Sequence, residues 1–207
     1  MWGVLTYMEC AFCNQRKMKE EILFASDNFF IVPAVGSFVP YYLLITTKKH
    51  LHPFGSSLET SKINKEFLAI KDKAEQFYKK MGVKKWIYYE HGAGVGQSSG
   101  CCVDHAHIHL LPFNASVVKT IQQFLGKPKI IERYSQLHKL HPQKMNGYLL
   151  VEENKKIFVW PEPMIVSQFI RRIIAQKINK GDKYDWKIYP FRENMAITAK
   201  QWKKIFS

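Results

Sequence analysis

Arginine is scarce in this chain of 207 residues, supplying five of its 31 basic side chains. Against 17 acidic residues the formal net charge is +14, and lysine carries nearly all of it. Lysine is a mobile point charge, whereas arginine offers a planar fork that grips phosphate in two places. The lysines are scattered, with short clusters at Lys79-Lys80, Lys84-Lys85 and Lys127-Pro128-Lys129. The charge therefore fits a general attraction for anionic nucleotides better than a dedicated nucleic-acid surface. No apolar run approaches the roughly 20 residues needed to cross a membrane. The start, Met1 to Glu9, lacks the basic stretch and long apolar run of a secretory leader. Four cysteines beside eight histidines suit a reduced, cytoplasmic protein better than a disulfide scaffold. No Gly-Lys-Ser/Thr phosphate loop and no strand-to-helix Gly-x-Gly-x-x-Gly occurs, which removes two common nucleotide-binding classes and leaves no organic cofactor to expect.

What the chain does have is His105-Ala106-His107-Ile108-His109-Leu110-Leu111, closed by Pro112. Strand side chains alternate faces with period two, so a strand places all three imidazoles on one side and the apolar residues on the other. On a helix the same residues fan out by about 100° per step and do not converge. A lone strand histidine is usually a packed or solvated side chain. Three in register are costly to bury unless each finds a partner. Imidazole titrates near neutrality, which suits nucleophilic and proton-transfer roles.

Just upstream, Trp86-Ile87-Tyr88-Tyr89 has the composition of a strand, and Gly92, Gly94, Gly96 and Gly100 punctuate the loop after it. Such a loop lets backbone amides approach phosphate oxygens. Near the N-terminus, Cys10-Ala11-Phe12-Cys13 has the spacing of a metal knuckle. A redox pair or two buried thiols fit the same spacing.

Taken in order, these features resemble the histidine triad (HIT) superfamily. The run from Gly96-Gln97-Ser98 to Leu111 carries its His-φ-His-φ-His-φ-φ signature. Leu43 to His50 resembles the family's apolar strand ending in a Lys-Lys-His turn, and the cysteine pair resembles that of its zinc-carrying members. The likeness covers residues 8–114. It implies His107 as a nucleophile toward the α-phosphorus of a nucleotide ester, anhydride or phosphoramidate, giving a covalent nucleotidyl-histidine that water or a second acceptor resolves. His109 would bond phosphate or leaving-group oxygens, Gln97 with Ser98 or Ser99 would hold non-bridging oxygens, and Lys48 and Lys49 would add positive charge. The resemblance also supplies zinc ligands, Cys10, Cys13, His50 and His105, in a closed structural site. His52 is a rival ligand, and Cys101-Cys102 lies close in sequence. The chain departs from small members at two points. Seven residues separate Gln97 from His105, and Ala34 stands where those members carry an acid for ribose hydroxyls, with Asp27 one candidate substitute.

The coarse map is an α+β chain with about five antiparallel strands and packed helices, followed by a C-terminal α/β extension. Residues 10–19 make a short helix or knuckle. Strands are expected over Glu21–Ala25, Phe29–Val32, Tyr41–Thr47, Lys85–Tyr89 and His105–Leu111. A helix is expected over Ser57–Met81 from the spacing of Ile63, Phe67, Ile70, Ala74, Phe77 and Tyr78. Residues 1–114 are expected to form the catalytic core and 115–207 to pack on it. The latter contain a helix over Val117–Leu125, a hairpin over Gly147–Trp160, a hinge around Ser135–Asn146 and a helix over Ser167–Gln176, capped by Ser167. Arg171 and Arg172 on that last helix are either a solvated face or a cationic clamp beside the phosphate site. The expected function is a nucleotide-phosphate hydrolase or nucleotidyltransferase. The alternative is a catalytically weak nucleotide- or nucleic-acid-binding module, and either could form a homodimer.

Overall fold

A computed structural model of the chain describes residues 10–16, 18–92, 103, 105–140, 147–161 and 163–207. Eight strands form one antiparallel sheet: β1 Phe24–Ala25, β2 Phe29–Pro33, β3 Leu43–Thr47, β4 Trp86–Gly92, β5 His107–Pro112, β6 Lys129–Ile131, β7 Tyr148–Glu153 and β8 Lys156–Pro161. Their spatial order is β1-β2-β3-β5-β4-β7-β8-β6. The helices are α1 Ser61–Lys80, α2 Val118–Leu125, α3 Leu137–Leu140, α4 Phe169–Lys177 and α5 Arg192–Phe206. This is the expected α+β class, but the strand number is eight, not about five. The C-terminal hairpin continues the sheet, with β7 pairing along β4 from Ile87↔Glu153 to Gly92↔Tyr148, and the short β6 closes the edge against β8.

Strand alternation gives the sheet two buried faces. Ile31, Ile45, Tyr88, Ile108, Leu110 and Leu150 point into a core shared with Phe67, Ile70 and Phe77 of α1 and Trp202 of α5. Their neighbours Val32, Leu44, Ile87, Tyr89, Leu111 and Val151 point into a second core under Ile121 of α2 and Ile170, Ile173 and Ile174 of α4. A sheet covered on both sides explains strands that are apolar throughout, such as Phe29-Phe30-Ile31-Val32. In β5 the even positions Ile108 and Leu110 go to the first core. His107 and His109 therefore emerge on the second face.

Local chemistry moves several boundaries. Phe54–Leu58 is a 3-10 turn, so the long helix starts later than expected, at Ser61, where the Thr60 hydroxyl accepts a bond from the Ile63 amide at 3.2 Å. Ser167 does not cap α4. Gln168 holds the cap position in a left-handed conformation, and the Ser167 carbonyl accepts from Arg172 Nε at 3.0 Å. Residues 134–140 form a 3-10 turn and α3 in the first part of the expected hinge, and the remainder, 141–146, lies outside the described residues. No helix among the described residues is long and apolar enough to cross a membrane.

Candidate active site

β5 lies between β3 and β4, so its histidines inherit fixed neighbours: Thr46 opposes His107, while Leu44 and Tyr89 flank His109. His105 sits in the bend just before the strand, out of the ladder. The His107 ring turns back on it, with Nδ1 2.6 Å from the His105 carbonyl oxygen. A carbonyl only accepts, so His107 Nδ1 carries the proton and Nε2 keeps its lone pair. Nε2 lies 3.1 Å from Nε2 of His109. Burial holds the pKa of His107 below the usual imidazole value. It depresses His109 more strongly, with His107 and the Arg171 guanidinium adding to the effect. Both rings are thus neutral at neutral pH.

These histidines line a cavity of about 660 Å³ whose wall is mostly apolar, from Phe12, Val32, Leu44, Val103 and Trp186. Its polar lining includes Cys10, Asn14, Glu21 and Arg171. Arg171 is only 4% exposed. Its Nε and Nη2 donate to the carbonyls of Tyr184 and Gly36, both at 2.8 Å, and its guanidinium lies over the Phe38 ring. The ion pairs among the described residues are Lys71–Glu75 and Lys71–Glu152, so no carboxylate there answers this buried cation. Gly36 makes the approach feasible: its φ is +77°, and a Cβ there would meet Arg171 Nη2 at 2.6 Å.

The other expected site residues divide. Arg172 does not line the cavity and instead lies over the Tyr184 ring at 3.9 Å. Lys49 lines a separate cavity of about 430 Å³ with His50, His52, Ser56 and Thr60. Gln97, Ser98 and Ser99, with Cys101 and Cys102, lie outside the described residues. Ala34 is buried in the second core, and Glu21 is the carboxylate among the lining residues of the larger cavity.

Cys10, Cys13, His50 and His105 come together with all four ligand atoms within 4.8 Å of one another, and this cluster could hold a metal ion. His105 Nε2 lies 2.7 Å from the Thr47 carbonyl, so that nitrogen bears the proton. Its Nδ1 lone pair then faces Cys10 Sγ at 3.4 Å and Cys13 Sγ at 3.6 Å. His50 Nδ1 faces Cys13 Sγ at 3.2 Å. Without a cation, burial and the neighbouring Cys10 push the Cys13 thiol up to about 12, and burial pushes His105 down to about 4.

Four site residues escape the sequence reading. Phe12, between the two cysteines, sets its ring 5.4 Å from His105 and 5.6 Å from His107. Tyr89 stacks on His109 at 4.3 Å with planes 7° apart, and the Tyr42 hydroxyl lies 2.9 Å from His109 Nδ1. Trp186 closes the wall beside Arg171. Tyr89 was within reach of sequence reasoning, because a hairpin-like pairing of its strand with the triad strand sets it opposite a histidine. Trp186, far along the chain, offered no such signal.

No family model and no curated protein matches this sequence. Two solved structures of the Ap4A phosphorylase Apa2 from yeast are similar to it. The complex with AMP is 11% identical with a TM-score of 0.37, over 67% of this chain and 57% of that one. The second is 12% identical with a TM-score of 0.39, over 86% of this chain and 74% of that one. The chain thus spans little more than half the length of the first.

Proposed function

We propose that this protein is a nucleotide-phosphate hydrolase or nucleotidyltransferase of the HIT type that works through His107. The observation that carries this reading is the wiring of that ring. Its Nδ1 proton is pinned to the His105 carbonyl at 2.6 Å. Its other nitrogen carries the lone pair for attack, facing His109 Nε2 at 3.1 Å, at the edge of a cavity that also holds a buried guanidinium without a carboxylate partner among the described residues. In this scheme Nε2 of His107 attacks the α-phosphorus and the bond to the leaving group breaks, leaving the nucleotidyl group on the ring until water or a second acceptor takes it. His109 donates to a phosphate oxygen, and Arg171 draws the anionic group into a mostly apolar cavity. The apolar wall from Phe12 to Trp186 accommodates the nucleoside. Gln97 with Ser98 or Ser99 is proposed to hold the non-bridging oxygens, with Lys49 adding only long-range attraction. The division proposed here keeps the triad and the cysteine turn in residues 1–114 and takes Arg171 from residues 115–207.

Zinc is the ion this donor set fits. Two thiolates and two imidazoles form a tetrahedral set, and with Zn–S near 2.3 Å and Zn–N near 2.0 Å adjacent S and N ligands stand about 3.5 Å apart. Three of the four S···N separations, 3.2 to 3.6 Å, match that spacing, and all four ligand atoms lie within 4.8 Å of one another. A bound cation would favour thiolate, opposing the protonated state that burial imposes on Cys13, and bare imidazole nitrogen, the neutral form that burial already favours at His105. Cys10, Cys13, His50 and His105 would hold it. Four protein ligands would leave no open position for water, so its role would be structural, holding the turn that carries Phe12 against the triad.

The test is His107→Ala, assayed on nucleoside monophosphate esters and dinucleoside polyphosphates. The expected loss is on the order of 10³-fold or more in turnover, with the fold intact by circular dichroism. Retention of more than a tenth of wild-type activity on every cleaved substrate would remove His107 from the mechanism.

A further inference from the structure

The hydrogen bonds around His109 admit one proton arrangement. The His105 carbonyl can only accept, so His107 Nδ1 is protonated and its Nε2 can only accept. The 3.1 Å contact between the two Nε2 atoms then requires the proton on His109. A neutral His109 with a proton on Nε2 has a bare Nδ1. That nitrogen is 2.9 Å from the Tyr42 hydroxyl, so Tyr42 must donate to it. Tyr42 is also hydrogen-bonded to the Tyr89 hydroxyl. With its own proton committed to His109, Tyr42 accepts there, and Tyr89 donates.

We propose that Tyr42 and Tyr89 are positioning residues that hold His109 as the Nε2–H tautomer, so that it presents a donor to the reacting phosphate. Tyr89 contributes twice, through this chain of hydroxyls and through its ring, stacked on the imidazole at 4.3 Å. Both tyrosines are buried, where rotamers are few and a hydroxyl without a partner is costly. Tyr42 closes the arrangement to the C-terminal region, since the Arg171 guanidinium lies 5.8 Å from the centre of its ring. A cation there opposes a second positive charge on His109. The ring is thereby kept a neutral donor, and no proton need leave it during the reaction. When substrate enters, the Nε2–H that rests on His107 transfers its hydrogen bond to a phosphate oxygen. That frees the His107 lone pair for attack at the same moment. The identity of the ligand rests on the function proposed above, while the proton arrangement does not.

The experiment is a long-range proton–nitrogen NMR correlation on histidine-labelled protein without substrate, for wild type, Tyr42→Phe and Tyr89→Phe. The expected wild-type result is opposite tautomers two residues apart: Nδ1–H on His107 and Nε2–H on His109. In Tyr42→Phe the His109 Nδ1 resonance should move to the position of a nitrogen with no donor. Turnover of the para-nitrophenyl ester of a nucleoside monophosphate should fall about tenfold, with KM changed less than twofold, since a mis-set transition-state donor lowers kcat. Tyr89→Phe keeps the stacked ring and should give a smaller shift in the same direction. Finding His109 as Nδ1–H, or an unmoved Nδ1 resonance in Tyr42→Phe, would overturn the proposal. The expected tautomers in a protein that turns over no nucleotide would instead overturn the function and leave the wiring standing.

Discussion

A guanidinium buried to 4% exposure without a carboxylate partner among the described residues is an expensive side chain. At Arg171 the compensation is two backbone carbonyls and the faces of Phe38 and Tyr42. This leaves part of the cationic fork to meet an anion in the cavity. Arg171→Ala should raise KM several-fold, and the effect should shrink as phosphates are removed from the substrate. Arg172→Ala, whose side chain lies over Tyr184 away from the cavity, should leave KM within about twofold. Steady-state kinetics on nucleoside mono-, di- and triphosphate esters would decide. Unchanged KM in both variants would confine the helix to a structural role. The scarcity of arginine made this pair legible in the sequence, and the spacing of neighbours on a helix implied that one of them would turn away. The sequence held no comparable sign of Phe12, Tyr42 or Trp186. Each looks like an ordinary core aromatic until folding sets Phe12 and Tyr42 beside triad histidines and Trp186 beside Arg171 in the cavity wall.

At the scale of elements, the turn around the cysteine pair has the largest consequence for the site. Cys10, Ala11, Phe12 and Asn14 all line the cavity of His107 and His109. The Cys/His cluster thus adjoins the cavity wall, with Cys10 belonging to both. Purified protein should carry about one zinc per chain by elemental analysis. Cys10→Ser should lose it and cost on the order of 4 kcal/mol of stability, the range of losing a structural metal. Metal-free wild-type protein purified without chelators, as stable as Cys10→Ser, would contradict the site. The elements themselves were legible where periodicity was strong. The stripe of α1 and the alternation of β5 each give one answer. The short β6 and the sparse apolar spacing of α5, where Met195, Thr198 and Trp202 are the buried contacts, fall below what pattern alone resolves. The start of α4 was misread because Ser167 looks like a cap, whereas a left-handed Gln168 turns the chain into the helix.

For the molecule as a whole, the single eight-stranded sheet ties distant parts of the chain to one core, and one buried carboxylate stitches it. Glu90 is 2% exposed. It accepts from the Phe54 amide at 2.7 Å and from the Tyr148 hydroxyl, joining the turn after His50 to β4 and β7. Burial raises its pKa to about 8 from an ordinary value of 4.5, against the opposing effect of those two bonds. The folded protein then keeps a proton that the unfolded chain gives up, so Glu90 stabilises the fold fully below about 4.5 and progressively less as pH rises toward 8. Glu90→Gln removes this dependence. Denaturation midpoints for wild type should therefore fall relative to the variant between those pH values, and parallel curves would show that Glu90 is ionised in the fold. The pairing of the C-terminal hairpin with β4 was not legible from sequence, because period-two patterning marks a strand but does not name its partner.

The proposed mechanism turns on a covalent bond between His107 and a nucleotide. Protein mixed with nucleotide radiolabelled at the α-phosphorus and quenched with base should carry label that acid releases, as a phosphoramidate requires. Peptide mapping should place the label on His107, and His107→Ala should carry none. Turnover in the absence of any labelled wild-type protein, or label that persists in His107→Ala, would contradict the mechanism.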